Sequence, residues 1–382
     1  MFWLVAINLR TVLLSVPPTL PALHRALHLS YSVGGLLTSV PVLVMAAGAI
    51  PGAYLVSRRG ARGVVTAGLV LLTVGTALRG AVPNPLFLFT FTVVLAIGIA
   101  ISQPAMPALV QAWFPDHVAR ATAVYSNGLL IGEVLAATLT LPFLLALFGW
   151  QVALSAWAIL CAVGLALWLL FTPATRPGKA PSGWFPDWRN ATTLRLSMLM
   201  GAASLVYFGM NTWIPDTMEV RHAHNMIPLT LGVLNFSQLP VSAGLALAGD
   251  RMLGRRWPYL LAGGACLLGV LGYLAAPVSS APIWAALAGA GSSLAFIVNL
   301  GVPALLSPTE VARTTGLMFT VGYGSAFFGP ALGGVAWDLS GRFVLALVPM
   351  AVAALLMLAI GGTFPRLRLS AKASSAASRS TR

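Results

Sequence analysis

Arg10 and Glu133 are the two side chains whose type and setting could do chemistry. Each is a charged group inside a long apolar run, residues 2–23 for the arginine and 119–148 for the acid. A guanidinium keeps its proton in a protein and offers five donors in a planar fork, which suits a carboxylate or a similar anion. A carboxyl group placed among apolar side chains is a group that can carry a proton. On sequence alone Arg10 has three readings: contact with an anion, a permanent ion pair with Glu133, and a long side chain reaching out towards water. Glu133 also has three: carrying a coupled proton, structural pairing, and direct contact with a ligand.

Neutral polar side chains recur inside other apolar runs: Asn8, Gln103, Asn127, Asn211, Asn235, Gln238, Asn299 and Tyr323. Asn211 falls four residues after Tyr207, hence on the same helical face, with Trp213 close by. All but Asn127 are candidate ligand contacts. The plainer reading is that such amides tie helices together and that Tyr207 and Trp213 fill space.

The elements that position these residues follow from composition. Of 382 residues 58% are hydrophobic and only 8% are charged, against about 25% charged in soluble domains. A soluble enzyme is excluded, and the long apolar runs repeat along nearly the whole chain. A helix crossing a bilayer needs about 20 apolar residues, so twelve crossings with short connections fit. We place them at 3–22, 31–56, 63–81, 85–113, 119–148, 150–171, 193–219, 226–248, 257–276, 281–306, 311–338 and 342–364, and number them spans 1 to 12. The first run lacks a basic leader and a small-residue cleavage site, so it reads as a span and not as a signal peptide. Counted from its start, Arg10 lies about 10 Å inside the boundary.

One connection stands out. Residues 172–192 read TPATRPGKAPSGWFPDWRNAT, rich in Pro, Gly and charge, and separate a first half (1–171) from a second (193–364). Residues 365–382 are polar and basic and read as a disordered tail. The net charge of +14 is carried by connections, not by a nucleic-acid face. With the N-terminus inside, 17 of the 22 Lys and Arg fall on the cytoplasmic side together with both termini. Four (Arg25, Arg79, Arg221 and Arg342) fall outside, and Arg10 lies within a span.

Spans 3, 6, 9 and 12 carry no Asn, Gln or ionisable residue in their interiors, whereas span 2 contributes hydroxyls such as Thr38 and Ser39. Polar groups avoid lipid, so this period of three predicts four three-helix repeats with the third member outermost. Two six-helix bundles around a central cavity are expected. The connection after span 8, GDRMLGRR (249–256), echoes SRRGAR (57–62) after span 2. Asp250 could cap a neighbouring helix and latch the cytoplasmic side, with Arg251 beside it and Ser57 as a weaker counterpart. Asp216 and Glu219, beside Arg221 and His222, read as a solvated gate or plain surface charge at the outer end of span 7.

Three segments resemble a known family: Asn8-Leu9-Arg10, the stretch FPDHVARATAVYSNGLLIGEVLAATLTLPF followed by GWQVAL, and VGYGSAFFGPALGGVAWDLSG. Together they are similar to the cyanate and 2-nitroimidazole transporter branch of the major facilitator superfamily. The resemblance covers nearly the full length, and Val321-Gly322-Tyr323 with Gly329-Pro330 is its most specific part. It implies an all-α fold of twelve membrane helices and a carrier of small, often anionic or aromatic solutes in a bacterial inner membrane. It leaves the solute open, and Glu133 and Asp216 stand where the branch, as we align it, commonly has neutral residues.

No enzyme site, phosphate loop or metal-ligand spacing is present in the sequence, and no cofactor is expected. Cys161 and Cys266 read as packing residues. The expected partners are a small solute and the bilayer, with protons as an open third, and the chain is expected to act as a monomer. A transport-fold receptor that senses without moving its ligand is the alternative of another class.

Overall fold

The computed structural model describes residues 1–103, 105–114, 118–173, 190–248, 252–302 and 308–364. Every regular element among them is helical. Ten segments are long and apolar enough to cross a membrane, from Phe2–Leu27 to Phe343–Gly362. The shorter apolar helix Trp157–Phe171 and the 33-residue helix Pro308–Ser340 stand at the places expected for spans 6 and 11. The linker proper (174–189), Asp250 with Arg251, and the tail from 365 lie outside the described residues. Ser57 lies in the last turn of helix Tyr31–Arg59.

Local chemistry sets the breaks. Span 1 runs Phe2–Leu14, tightens into a 3₁₀ turn at Pro17–Thr19 and resumes at Leu20–Leu27. The α-helix ends at Leu14, which leaves the carbonyls of its last turn, Val12 among them, without helical donors. Arg79 takes up the slack: its Nη1 donates to Val12 O (2.8 Å), its Nη2 to Ser15 Oγ (2.7 Å) and Leu154 O (3.0 Å). This arginine is fully buried, so it is not merely a solvated charge of a connection. It is a structural bracket between spans 1, 3 and 6. Span 5 ends in a wide turn at Thr140–Leu145, which contains Pro142, and the chain reverses at Gly149 (φ 79°), as glycine allows.

Buried apolar side chains gather into two main cores. One draws on Phe2 to Trp168 and borrows Tyr207, Phe208, Tyr323 and Ala326; the other draws on Leu196 to Phe364 and borrows Ala137 and Leu141. The borrowed residues are where the halves meet. Spans 3, 6, 9 and 12 expose large apolar side chains, such as Val74, Ile159, Leu261 and Leu355. Both cysteines are buried and free.

At the end of the molecule where span 2 begins, the halves close on each other. Backbone N–H groups of Tyr31 and Ser32 donate to Asp338 at 3.0 and 2.7 Å. The Tyr31 ring stacks on Trp337 at 4.0 Å, and Thr212 donates to Thr38 at 3.1 Å.

Candidate functional site

The site begins with a close approach of two helices. A Cβ added at Gly128 or Gly132 would lie 2.5 Å from the carbonyl oxygen of Trp3 or Ile7 respectively, so span 5 can touch the backbone of span 1 only with glycine there. The pair has the small-xxx-small spacing of closely packed membrane helices. Three residues after Ile7 comes Arg10, and directly after Gly132 comes Glu133. Arg10 Nε lies 3.5 Å from Glu133 Oε1, with both residues buried. Of the three sequence readings of Arg10, reaching for water is therefore excluded.

The second half completes the cluster. Arg10 Nη2 donates to the Tyr323 hydroxyl at 3.2 Å, and Gln103 Nε2 lies 2.6 Å from the same oxygen. Gln238 Nε2 donates to Glu133 Oε2 at 3.0 Å. Tyr207 donates to Asn235 Oδ1 (2.6 Å) and also sits beside Glu133 and Gln238. Asn235 Nδ2 passes the chain on to Asn211 Oδ1 at 2.9 Å, and Asn211 Nδ2 returns to Tyr207 O at 3.0 Å. Spans 1, 4, 5, 7, 8 and 11 thus meet in one buried polar network, to which spans 3, 6, 9 and 12 give nothing.

The network has unspent capacity. Among the described residues, Arg10 Nε and Gln103 Oε1 are buried without a hydrogen-bond partner. A guanidinium has five donors, and this one spends a single hydrogen bond on Tyr323 while it faces Glu133 across a looser contact. Removing one member of a buried ion pair costs about 3–5 kcal/mol, because the other charge is left uncompensated. An arriving anion can take the carboxylate's place without that cost, provided the carboxyl group is neutralised by a proton.

Three candidates lie elsewhere. Asn8 is two residues from Arg10, about 200° around the helix, and faces span 6, where a Cβ on Gly164 would meet its Nδ2. Neither of its side-chain polar atoms has a partner. Trp213 fills the closed end, with Tyr31 and Trp337 at 6.5 and 5.7 Å. Asn299 joins Tyr259 (2.9 Å) to Leu196 O (2.9 Å) inside the second half. Asn127 accepts from Trp3 Nε1 at 2.9 Å on an exposed face. Asp216 is buried and lies 3.3 Å from His24 Nε2, so it is not a solvated surface charge. Sequence reasoning missed His24, Asp338 and the bracket at Arg79. For the Arg10–Glu133 meeting, the Gly128/Gly132 spacing was a readable signal. No group of residues among those described could hold a metal ion.

Comparisons with known proteins bear on the family and the fold. A family model described as Major Facilitator Superfamily matches residues 2–330. The chain is 27% identical over 366 residues to the 2-nitroimidazole transporter of Escherichia coli, covering 94% of this chain and 92% of that protein. It is 26% identical to the cyanate transport protein CynX of the same organism, over 90% of each. It is 28% identical to the gentisate transporter of Corynebacterium glutamicum, over 83% and 76%. Among solved structures, a D-xylose-proton symporter superposes with a TM-score of 0.76 at 13% identity, covering 97% of this chain and 98% of that one.

Proposed function

The chain belongs to the Major Facilitator Superfamily, a family of membrane transporters and not of enzymes, and from that premise we propose that it is a secondary carrier of a small anionic or heteroaromatic solute. The observation that carries the reading is Arg10, a buried guanidinium linked to an acid of its own half and to a tyrosine of the other. In the empty site Glu133 neutralises Arg10. An anion displaces the carboxylate, which takes up a proton and keeps Gln238 and Tyr207 as partners. Gln103 and Tyr323 flank the anion, and the Tyr207–Asn235–Asn211 chain forms the facing wall.

Residues 1–171 and 193–364 move against each other in this reading, joined by 172–192, with both termini cytoplasmic and the chain acting as a monomer in a bacterial inner membrane. Asp250, Arg251 and Ser57 latch the cytoplasmic side. The relatives named for cyanate and gentisate carry anions, which suits a fixed positive charge. Proton-coupled efflux is favoured instead by Glu133, if the proton and not the anion is its usual partner.

Two measurements test the proposal. A thermal-shift screen with cyanate, 2-nitroimidazole, gentisate, acetate and benzoate should show at least one stabilising anion. Counterflow of that labelled solute in proteoliposomes should then accumulate it transiently. Stabilisation without counterflow would make the chain a receptor and contradict the carrier reading.

A further inference from the structure

A second titratable cluster lies away from the central site, at the closed end. His24 belongs to the outer end of span 1 and Asp216 to span 7, so the contact joins the two halves. Its geometry determines the proton inventory. His24 Nδ1 lies 2.9 Å from Leu29 O, and a carbonyl oxygen only accepts. Nδ1 therefore carries a hydrogen. Nε2 lies 3.3 Å from Asp216 Oδ2, and a hydrogen bond there needs a proton on the histidine or on the acid. A neutral histidine with one hydrogen on Nδ1 beside an ionised carboxylate has none to offer.

We infer that the His24–Asp216 contact is a proton-binding site that holds the two halves together at this end. The proton sits between Nε2 and Oδ2, as imidazolium with carboxylate or as imidazole with carboxylic acid. Either form is neutral overall relative to its surroundings, as a buried site requires. Opening this end separates the two groups into water. The carboxylate then ionises, the imidazole keeps only its Nδ1 or Nε2 hydrogen above the usual histidine range, and one proton leaves for solution. Acid therefore favours the closed end and base favours opening. The inference rests on the reading above in which the two halves move against each other, but uses neither Arg10 nor Glu133.

The surroundings are built for the contact. Gly34 of span 2 leaves room for the imidazole, since a Cβ there would lie 2.7 Å from its Cε1. The Tyr31 ring lies 4.9 Å from the imidazole. The His24 and Asp216 side chains are only 13% and 4% exposed, so water does not replace the shared proton. The other charged groups facing the pair are Asp338 of span 11, Arg25 of span 1 and Glu219 of span 7. Glu219 is itself engaged by Arg25 at 3.8 Å and by His224. His28 and His222 lie exposed nearby on the same end.

The test places spin labels on the exposed positions of A26C and N225C, one in each half at this end, in the full-length protein in lipid nanodiscs. Distance distributions are recorded from about pH 5.5 to about pH 8.5, bracketing an ordinary histidine. The expected result is a single short distance in acid and a longer population that grows several-fold in base. H24Q and D216N should each flatten that response, whereas H224Q and H222Q should retain it. A distribution that ignores pH, or a full response in both H24Q and D216N, overturns the inference. Counterflow is scored separately. Normal counterflow with a pH-blind distribution removes the proton latch and keeps the carrier; a pH-dependent distribution without counterflow does the reverse.

Discussion

Gln238 and Glu133 meet across the two halves, amide to carboxylate at 3.0 Å, on the oxygen that Arg10 does not face. One carboxyl group thus reads a cation from its own half and an amide from the other. A hydrogen bond to a charged group contributes about 1.5–3 kcal/mol. Gln238→Leu should lower the unfolding free energy by about that amount, read as a fall in Tm in detergent. Most of that loss should vanish when Glu133→Gln is already present, because the two changes remove one interaction. Fully additive losses would show that the contact is incidental.

Arg79 has no acidic partner among the described residues and instead gathers the carbonyls of Val12 and Leu154 with the Ser15 hydroxyl. Arg79→Met removes a buried cation that ties three spans together and takes both of its hydrogen bonds away from Leu154 O, while Val12 O keeps the Ser15 hydroxyl. At about 1–3 kcal/mol for each buried group left unpaired, the variant should be strongly destabilised, and Arg79→Lys should recover only part, because an ammonium lacks the planar fork. A wild-type Tm for Arg79→Met would return this residue to the role of a topology charge.

Gly132 sets the distance between spans 1 and 5. Gly132→Ala puts a methyl group 2.5 Å from Ile7 O, and overpacking of this kind costs about 1–3 kcal/mol. The sharper expectation is functional: the helices separate, the 3.5 Å Arg10–Glu133 contact lengthens, and counterflow falls more than the loss of stability alone explains. Equal counterflow per folded molecule would contradict this.

Asn8 is the internal control. Its amide is buried without a partner, a state that costs about 1–3 kcal/mol. Asn8→Leu keeps the branched outline and removes the unpaired polar atoms, so it should leave Tm unchanged or raise it, with counterflow intact. A loss of transport in a stable protein would place Asn8 back in the solute path.

The helical membrane architecture and the polar residues that converge were legible because a bilayer penalises every exposed polar group, so their positions along each span report the inner faces. Arg10, Gln103, Glu133, Tyr207, Asn211, Asn235, Gln238 and Tyr323 all fall in the network on that logic. Asn8, Trp213 and Asn299 did not, since burial against a neighbouring helix satisfies the same rule as burial in a cavity. Only helical phase separates the two cases, and Asn8 lies on the opposite face from Arg10. The structural role of Arg79 was hidden because it sits beside a predicted loop, and charge counting is blind to a helix-end carbonyl 67 positions away. The His24–Asp216 contact was hidden for a related reason, as its members lie 192 positions apart and neither belongs to a local motif.

The central claim is that Arg10 holds the anion, and the geometry of its fork decides it. A guanidinium grips a carboxylate-like group with parallel hydrogen bonds that an ammonium cannot copy. The direct measurement is the affinity of the stabilising anion from the screen for wild type and Arg10→Lys, with the ligand-free Tm of each as the check on folding. The account predicts a similar Tm without ligand and binding weakened by about tenfold or more, equivalent to about 1.4 kcal/mol. Unchanged affinity in Arg10→Lys would contradict it and leave Arg10 as a structural ion pair with Glu133.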